Sequence, residues 1–236
     1  MKNIVIIVGL LFLFFSSQAQ KKKKSKDDPV WFNLEAKAGV GTGLLINKNI
    51  SSDDQINQNG FQVYPTYGIG LGVHFPKGFG VQVEKSWMTF GQKYTYKNSL
   101  PDQNLKLSSD EWGFFIRKSS EGDSFIGLGI KAAHLNHTSI DSLDQNFKKN
   151  FAVLNLEFGG PIWLTNIFDI NVNLRFGYGL SDIVSNKNYQ PGAYKLYSSY
   201  KPTSPLIIQI MIGFNWHVGF WANSNCKHTG FLFFTN

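Results

Sequence analysis

Eight stretches of this chain alternate apolar and polar residues, and the connectors between them run long, short, long, short from one end to the other. Side chains on a strand point to opposite faces in turn, so each stretch has one apolar and one polar face. Antiparallel strands joined in order by alternating connectors close into an up-and-down barrel. Its short turns share one rim and its long loops the other.

The alternation predicts strands at residues 31–46, 61–75, 79–96, 107–118, 124–140, 150–162, 168–184 and 205–220. Long polar loops are expected at 47–60, 97–106, 141–149 and 185–204. Short turns fall at Pro76-Lys77-Gly78, at 119–123 and around Thr165-Asn166. Each strand exceeds the roughly 9–11 residues that a tilted transmembrane strand needs. The seventh shows the logic most cleanly: Ile170, Val172, Leu174, Phe176, Tyr178 and Leu180 share one face, and Asn171, Asn173, Arg175, Gly177 and Gly179 the other. Pro205 is expected at the start of the eighth, where no ladder donor is yet required.

Alternation alone does not say which face is inside. Three features favour apolar-out: the apolar face is almost uninterrupted, the polar face is rich in glycine, and tryptophans (Trp31, Trp87, Trp163, Trp216, Trp221) sit toward strand ends as an interfacial girdle requires. The expected fold class is all-β, an eight-stranded antiparallel up-and-down transmembrane β-barrel. One residue resists: Lys85 is in phase with Val81, Val83 and Trp87, and a bulge near Glu84-Lys85 is expected to turn it inward.

The N-terminus fits this placement. Lys2, an apolar run over 4–15 and Ser17-Gln18-Ala19 make residues 1–19 a signal peptide. Lys21, Lys22, Lys23, Lys24 and Lys26 carry much of the net charge of +7, and 20–30 reads as a solvated basic periplasmic leader rather than a nucleic-acid arm. The barrel is expected over 31–220 and a tail over 221–236, with both termini periplasmic. The chain is 17% charged, below the roughly 25% usual in soluble domains. The single Cys226 rules out an internal disulfide. An aromatic residue ends the last strand at Phe220, and a second apolar patch follows at 231–234.

With the apolar face outward, Glu35, Lys37, Glu84, Glu111, Arg117, Lys131, Glu157 and Arg175 point inward, four acids and four bases. An eight-stranded interior is just wide enough to be filled by side chains, so the set is expected to form a salt-bridged plug. The Gly-x-Gly runs open no helix within a βαβ unit, which excludes a nucleotide loop. His137-Thr138-Ser139 lies at the outer end of the fifth strand, but the carboxylate that a lipid-hydrolysing His-x-Ser pair needs is missing from the next strand. Asp53-Asp54, Asp141 and Asp144 read as solvated loop acids, and no histidine spacing suits a metal. No catalytic residue, metal site or cofactor is expected. Phe147, Tyr189, Tyr194, Tyr197 and Tyr200 make the third and fourth long loops the expected contact surface, since tyrosine is favoured at interfaces.

The Ser17-Gln18-Ala19-Gln20 signal end, the eight glycine- and aromatic-rich strands and the final Gly213-Phe214-Asn215-Trp216 resemble the small outer-membrane β-barrel proteins of the Bacteroidota, including the PorT-like group. The resemblance spans about 31–220 and implies no site residue. Some members accompany protein-secretion machinery. The expected function is a non-enzymatic structural or accessory outer-membrane subunit, in contact with outer-membrane lipid and with another outer-membrane or secretion-machinery protein. A lipid A deacylase-like hydrolase and a small-solute or ion channel are the alternatives.

Overall fold

The computed structural model describes residues 30–97, 100–120, 124–138, 145–164 and 168–219. The expected signal peptide, the basic leader up to residue 29 and the tail lie outside these residues. The elements are β1 (Trp31–Asn47), the one-turn helix α1 (Lys48–Ser51), β2 (Ile56–Phe61), β3 (Tyr64–Phe75), a 3-10 turn (Pro76–Gly78), β4 (Phe79–Tyr96), β5 (Gln103–Ser119), β6 (Phe125–Thr138), β7 (Asn150–Leu164), β8 (Phe168–Gly179) and β9 (Thr203–Gly219). All ladders are antiparallel, and pairing of β4 with β5 closes the sheet into a ring.

The ring holds eight strands. β2 is no ninth stave: its Phe61 pairs with Gln92, and Thr66 of β3 pairs with Met88 further down the same partner. The second barrel strand therefore starts earlier than the expected 61 and is broken near Gln62-Val63. The seventh ends at Gly179 rather than 184. Pro205 faces Gly179 with its ring, and without an N–H it offers the β8–β9 ladder no donor there. On its other edge β9 continues to Thr203, paired with Asn47.

Register fixes the shape. From Leu34 of β1 the pairs run through Leu71, Val83, Phe114, Ile130, Leu154, Tyr178 and Leu206 and return to β1 at Leu44, ten residues higher. A shear of ten over eight strands, at ~3.3 Å per residue and ~4.8 Å between strands, tilts the strands by about 40°. Every residue of that circuit is apolar and outward. Lower down, Phe32, Phe75, Phe79, Trp163 and Trp216 are also exposed, forming an aromatic ring near the short turns. Trp31 departs from the expected girdle: it turns to the lumen, stacked on His74 at 3.8 Å and set at 81° to the ring of His217.

The bulge expected at Glu84-Lys85 is absent. β4 keeps one register against β3 and β5 through these residues, so Lys85 faces outward. Its ammonium lies 3.4 Å from Asp110 on β5 and over the rings of Trp87 and Trp112. Pairing and aromatic cover compensate the charge where a backbone irregularity was expected to remove it.

Candidate functional site

The lumen is built in layers. At the end with the short turns, Trp31, His74 and His217 form a floor, and His217 Nε2 lies 3.0 Å from Asp169. Above it the eight inward charges named from the sequence meet in one network drawn from six strands. Arg175 donates to both oxygens of Glu84 (2.7 and 2.9 Å) and to Glu157 (3.1 Å). Arg117 donates to Glu157 (3.0 Å) and Glu35 (3.4 Å). Lys37 reaches Glu84, Glu35 and Glu157 (2.8, 3.0 and 3.3 Å). Lys131 joins Glu111 (2.7 Å) and Glu84 (3.4 Å). None of these side chains is more than 3% exposed. Arg175 also lies over Phe115 and Arg117 over Phe125, each at 4.5 Å.

Inner-face glycines make room for this filling. A Cβ on Gly129 would lie 2.3 Å from the Phe115 ring, the same ring that carries Arg175.

The upper lumen is mainly apolar, whereas apolar-out strands imply a polar interior. Leu45, Met88, Phe90, Leu107, Leu135, Phe151, Val153 and Ile207 form one buried apolar cluster there. Loop residues cover it. Phe147 is itself buried, and Tyr189, Tyr194, Tyr197 and Tyr200 pack against the cluster. The five loop aromatics expected to form an exposed contact surface are thus drawn into the mouth, because the apolar tops of β1, β4, β5 and β7 offer their rings a dry surface.

Polar clasps hold this cap. The Asn47 side chain accepts from the N–H groups of Asn49 and Ile50, capping α1, and donates to Lys201 O and Thr203 Oγ1 (both 2.9 Å). Asn49 donates to Gln190 (3.0 Å) and to Ser199 O (2.7 Å). Tyr197 donates to Asp53 (2.7 Å), which also meets Lys195 at 2.9 Å. The Tyr197 hydroxyl, with the Lys195 ammonium, holds the Asp53 carboxyl below its ordinary range despite opposing desolvation. Burial and the Asp53 carboxylate push the Tyr197 hydroxyl up, and burial and Asp182 do the same at Tyr200. Asp53, expected as a solvated acid, is a clasp. At Gly192 a positive φ of 80° and a Tyr94 ring 2.3 Å from any added Cβ require glycine.

Of the His137-Thr138-Ser139 triplet, His137 is exposed on the outside of β6 and pairs in register with Ser108; residue 139 lies outside the described residues, as do Asp141 and Asp144. Among the described residues no cluster of three metal-binding side chains occurs, and no helix is long and apolar enough to cross a membrane.

No family model matches this chain. A curated relative, the protein-arginine kinase of Halothermothrix orenii, is 24% identical over 160 residues; the match covers 64% of this chain and spans 41% of the relative. Among solved structures the barrel is similar to Neisserial surface protein A (13% identity, 80% of this chain and 99% of that one, TM-score 0.43). It is similar also to the outer-membrane protein OprG of Pseudomonas aeruginosa (15%, 83% and 100%, 0.41) and to the outer-membrane protein AlkL (13%, 85% and 95%, 0.40). At these values no residue role or activity passes to this chain, and the fold rests on its own register.

Proposed function

We propose that this protein is an integral outer-membrane barrel whose lumen is closed, and that it serves as a structural or accessory subunit of the kind found in the PorT-like group. The reading is carried by one observation: a neutral, eight-membered charge network spans the lumen between an aromatic floor and an apolar cap, all inside an outward apolar belt. Closed antiparallel rings are the strand architecture that hydrocarbon tolerates, since every central backbone group is paired. A lumen filled this way offers water no continuous path.

Reconstitution in planar bilayers tests closure: stable insertion without resolved conductance is expected, and ohmic steps in the purified protein refute it. The accessory role calls for an exposed contact surface on the cap. Leu196 supplies the clearest candidate, an apolar side chain 89% exposed beside Lys195. A stoichiometric partner recovered in mild detergent from native outer membranes, and lost on Leu196→Glu, is the expected result. Recovery of the barrel alone argues against an accessory role.

A further inference from the structure

The outer face of β4–β7 changes character partway up. Near the middle, Val83, Phe114, Leu128, Ile130 and Leu154 present an exposed apolar stripe. Above it lies a cross-strand polar field. Lys85, level with Ile130 of the stripe, reaches up to Asp110, whose other oxygen accepts from Asn136 on β6 at 2.7 Å. The hydroxyls of Thr89 and Ser108 meet at 3.1 Å, and His134 meets Asn150 of β7 at 2.7 Å. Four consecutive strands contribute.

This field is confined to one flank. With strands tilted about 40°, each residue climbs ~2.5 Å along the barrel axis, and each step from β1 round the circuit toward β9 climbs ~3 Å. His134 therefore sits within roughly 5 Å of the height of Leu180, and Asn136 within roughly 5 Å of Ile46, both exposed and apolar on the opposite flank. Trp87, two residues above Lys85 on β4, and Trp112, the register partner of Lys85 on β5, stand just beneath Thr89, Ser108, His134 and Asn136, where interfacial aromatics belong.

Among the described residues the upper edge of the field is also positive. Both oxygens of Asp110 are engaged by Lys85 and Asn136. Lys106 lies over Tyr64 at the upper edge, and the exposed Lys149 is tied beside β6 by its carbonyl, which accepts from Leu135 N–H. Higher still, Lys93 and Asp102 neutralise one another at 2.7 Å. Among the described residues Lys106 and Lys149 thus stand at the upper edge of the field, above the Lys85–Asp110 pair and the stripe that suits acyl chains. The surface has the shape of an amphiphile: anion-seeking at the top, apolar below, on one flank.

We propose that the upper outer face of β4–β7 binds the phosphorylated headgroup of an outer-leaflet glycolipid, with Lys106 and Lys149 supplying the positive charge and Asn136 and His134 further hydrogen bonds. The inference rests on the membrane placement above. Charge complementarity selects the headgroup, and the stripe below it selects a lipid over a free anion.

The test is native mass spectrometry of the full barrel in neutral detergent with bis-phosphorylated lipid A, its dephosphorylated form and inorganic phosphate as separate probes. The bis-phosphorylated form is expected to be retained at least tenfold over the dephosphorylated one. Lys106→Gln combined with Lys149→Gln is expected to abolish that preference; single variants serve if the double one does not fold. Equal retention of the two lipids, unchanged retention by the variants, or displacement by inorganic phosphate at matched concentration overturns the proposal. So does a protein captured in stoichiometric yield by a crosslinker placed through Asn136→Cys. Failure of the barrel to insert into liposomes removes the membrane placement itself, whereas insertion with no preference for phosphate removes only the lipid site.

Discussion

Replacing Arg175 by Met keeps most of the side-chain volume and removes one positive charge from the centre of the network. Two short bonds to Glu84 and one to Glu157 disappear. Glu84 keeps Lys37 and Lys131, and Glu157 keeps Arg117 and Lys37, so neither acid is left alone. Breaking a buried ion pair by removing one partner costs about 3–5 kcal/mol, and the surviving partners place this case near 3 kcal/mol. Four acids then face three bases, a net charge held away from water. Adding Glu157→Gln restores three against three, so the double variant should be more stable than the two single losses predict by about 1–3 kcal/mol. Reversible urea unfolding from lipid vesicles, with a common slope for all variants, measures each value. A loss under about 1 kcal/mol for Arg175→Met, or strict additivity in the double variant, would falsify the idea that these eight residues act as one balanced network.

Gly129→Leu drives side-chain atoms into the Phe115 ring, which is fully buried, and should lower unfolding stability by about 1–3 kcal/mol in the same assay; an unchanged midpoint contradicts the close fit. Tyr197→Phe removes the hydroxyl bond to Asp53 and should weaken the cap by about 0.5–1.5 kcal/mol, seen as faster amide exchange in residues 180–202 with the barrel ladders unaffected. The clasp also has a pH window. Asp53 is held below its ordinary value, so its contribution is present above about pH 4 and lost as pH falls through the lowered value. Tyr197 is pushed up, so its contribution is present below about pH 10 and lost as pH rises further. Cap exchange corrected for intrinsic chemistry should be flat between those limits, and a step near pH 6 contradicts the assignment.

Most of the inward charges were legible because they stand in phase with glycine or amide residues and between apolar ones: Arg175 between Leu174 and Phe176, Glu157 between Leu156 and Phe158. Closure followed from the same alternation. The apolar upper lumen was not legible, because near the tops of the strands both faces are apolar. Leu44-Leu45-Ile46 and Leu206-Ile207-Ile208 carry no period of two, so nothing local says that Leu45 and Ile207 turn inward. The direction of the loop tyrosines depends on that surface, and the Asn47–Thr203 and Asp53–Tyr197 contacts join residues more than 140 positions apart. Lys85 misled for another reason: the alternation marks an outward lysine as an error, and only the neighbouring strand shows that Asp110 stands beside it.

The two halves of the lumen support one another. Ion pairs this close are strong only where water is kept out, and the Trp31–His74–His217 floor and the apolar cap exclude it from both ends. The network in turn ties six strands across the ring, which fixes the cross-section in which Phe90, Phe151 and Leu135 meet. Loosening the cap therefore has a consequence below it. Loss of the Asp53 and Asp182 clasps admits water onto Glu111 and Lys131, the uppermost of the charges by register, before it reaches Arg117 near the floor. Chemical labelling of Lys131 in a Tyr197→Phe and Tyr200→Phe background should thus rise while Lys37 stays protected. Equal labelling of both lysines is incompatible with a layered lumen and points instead to opening from the end with the short turns.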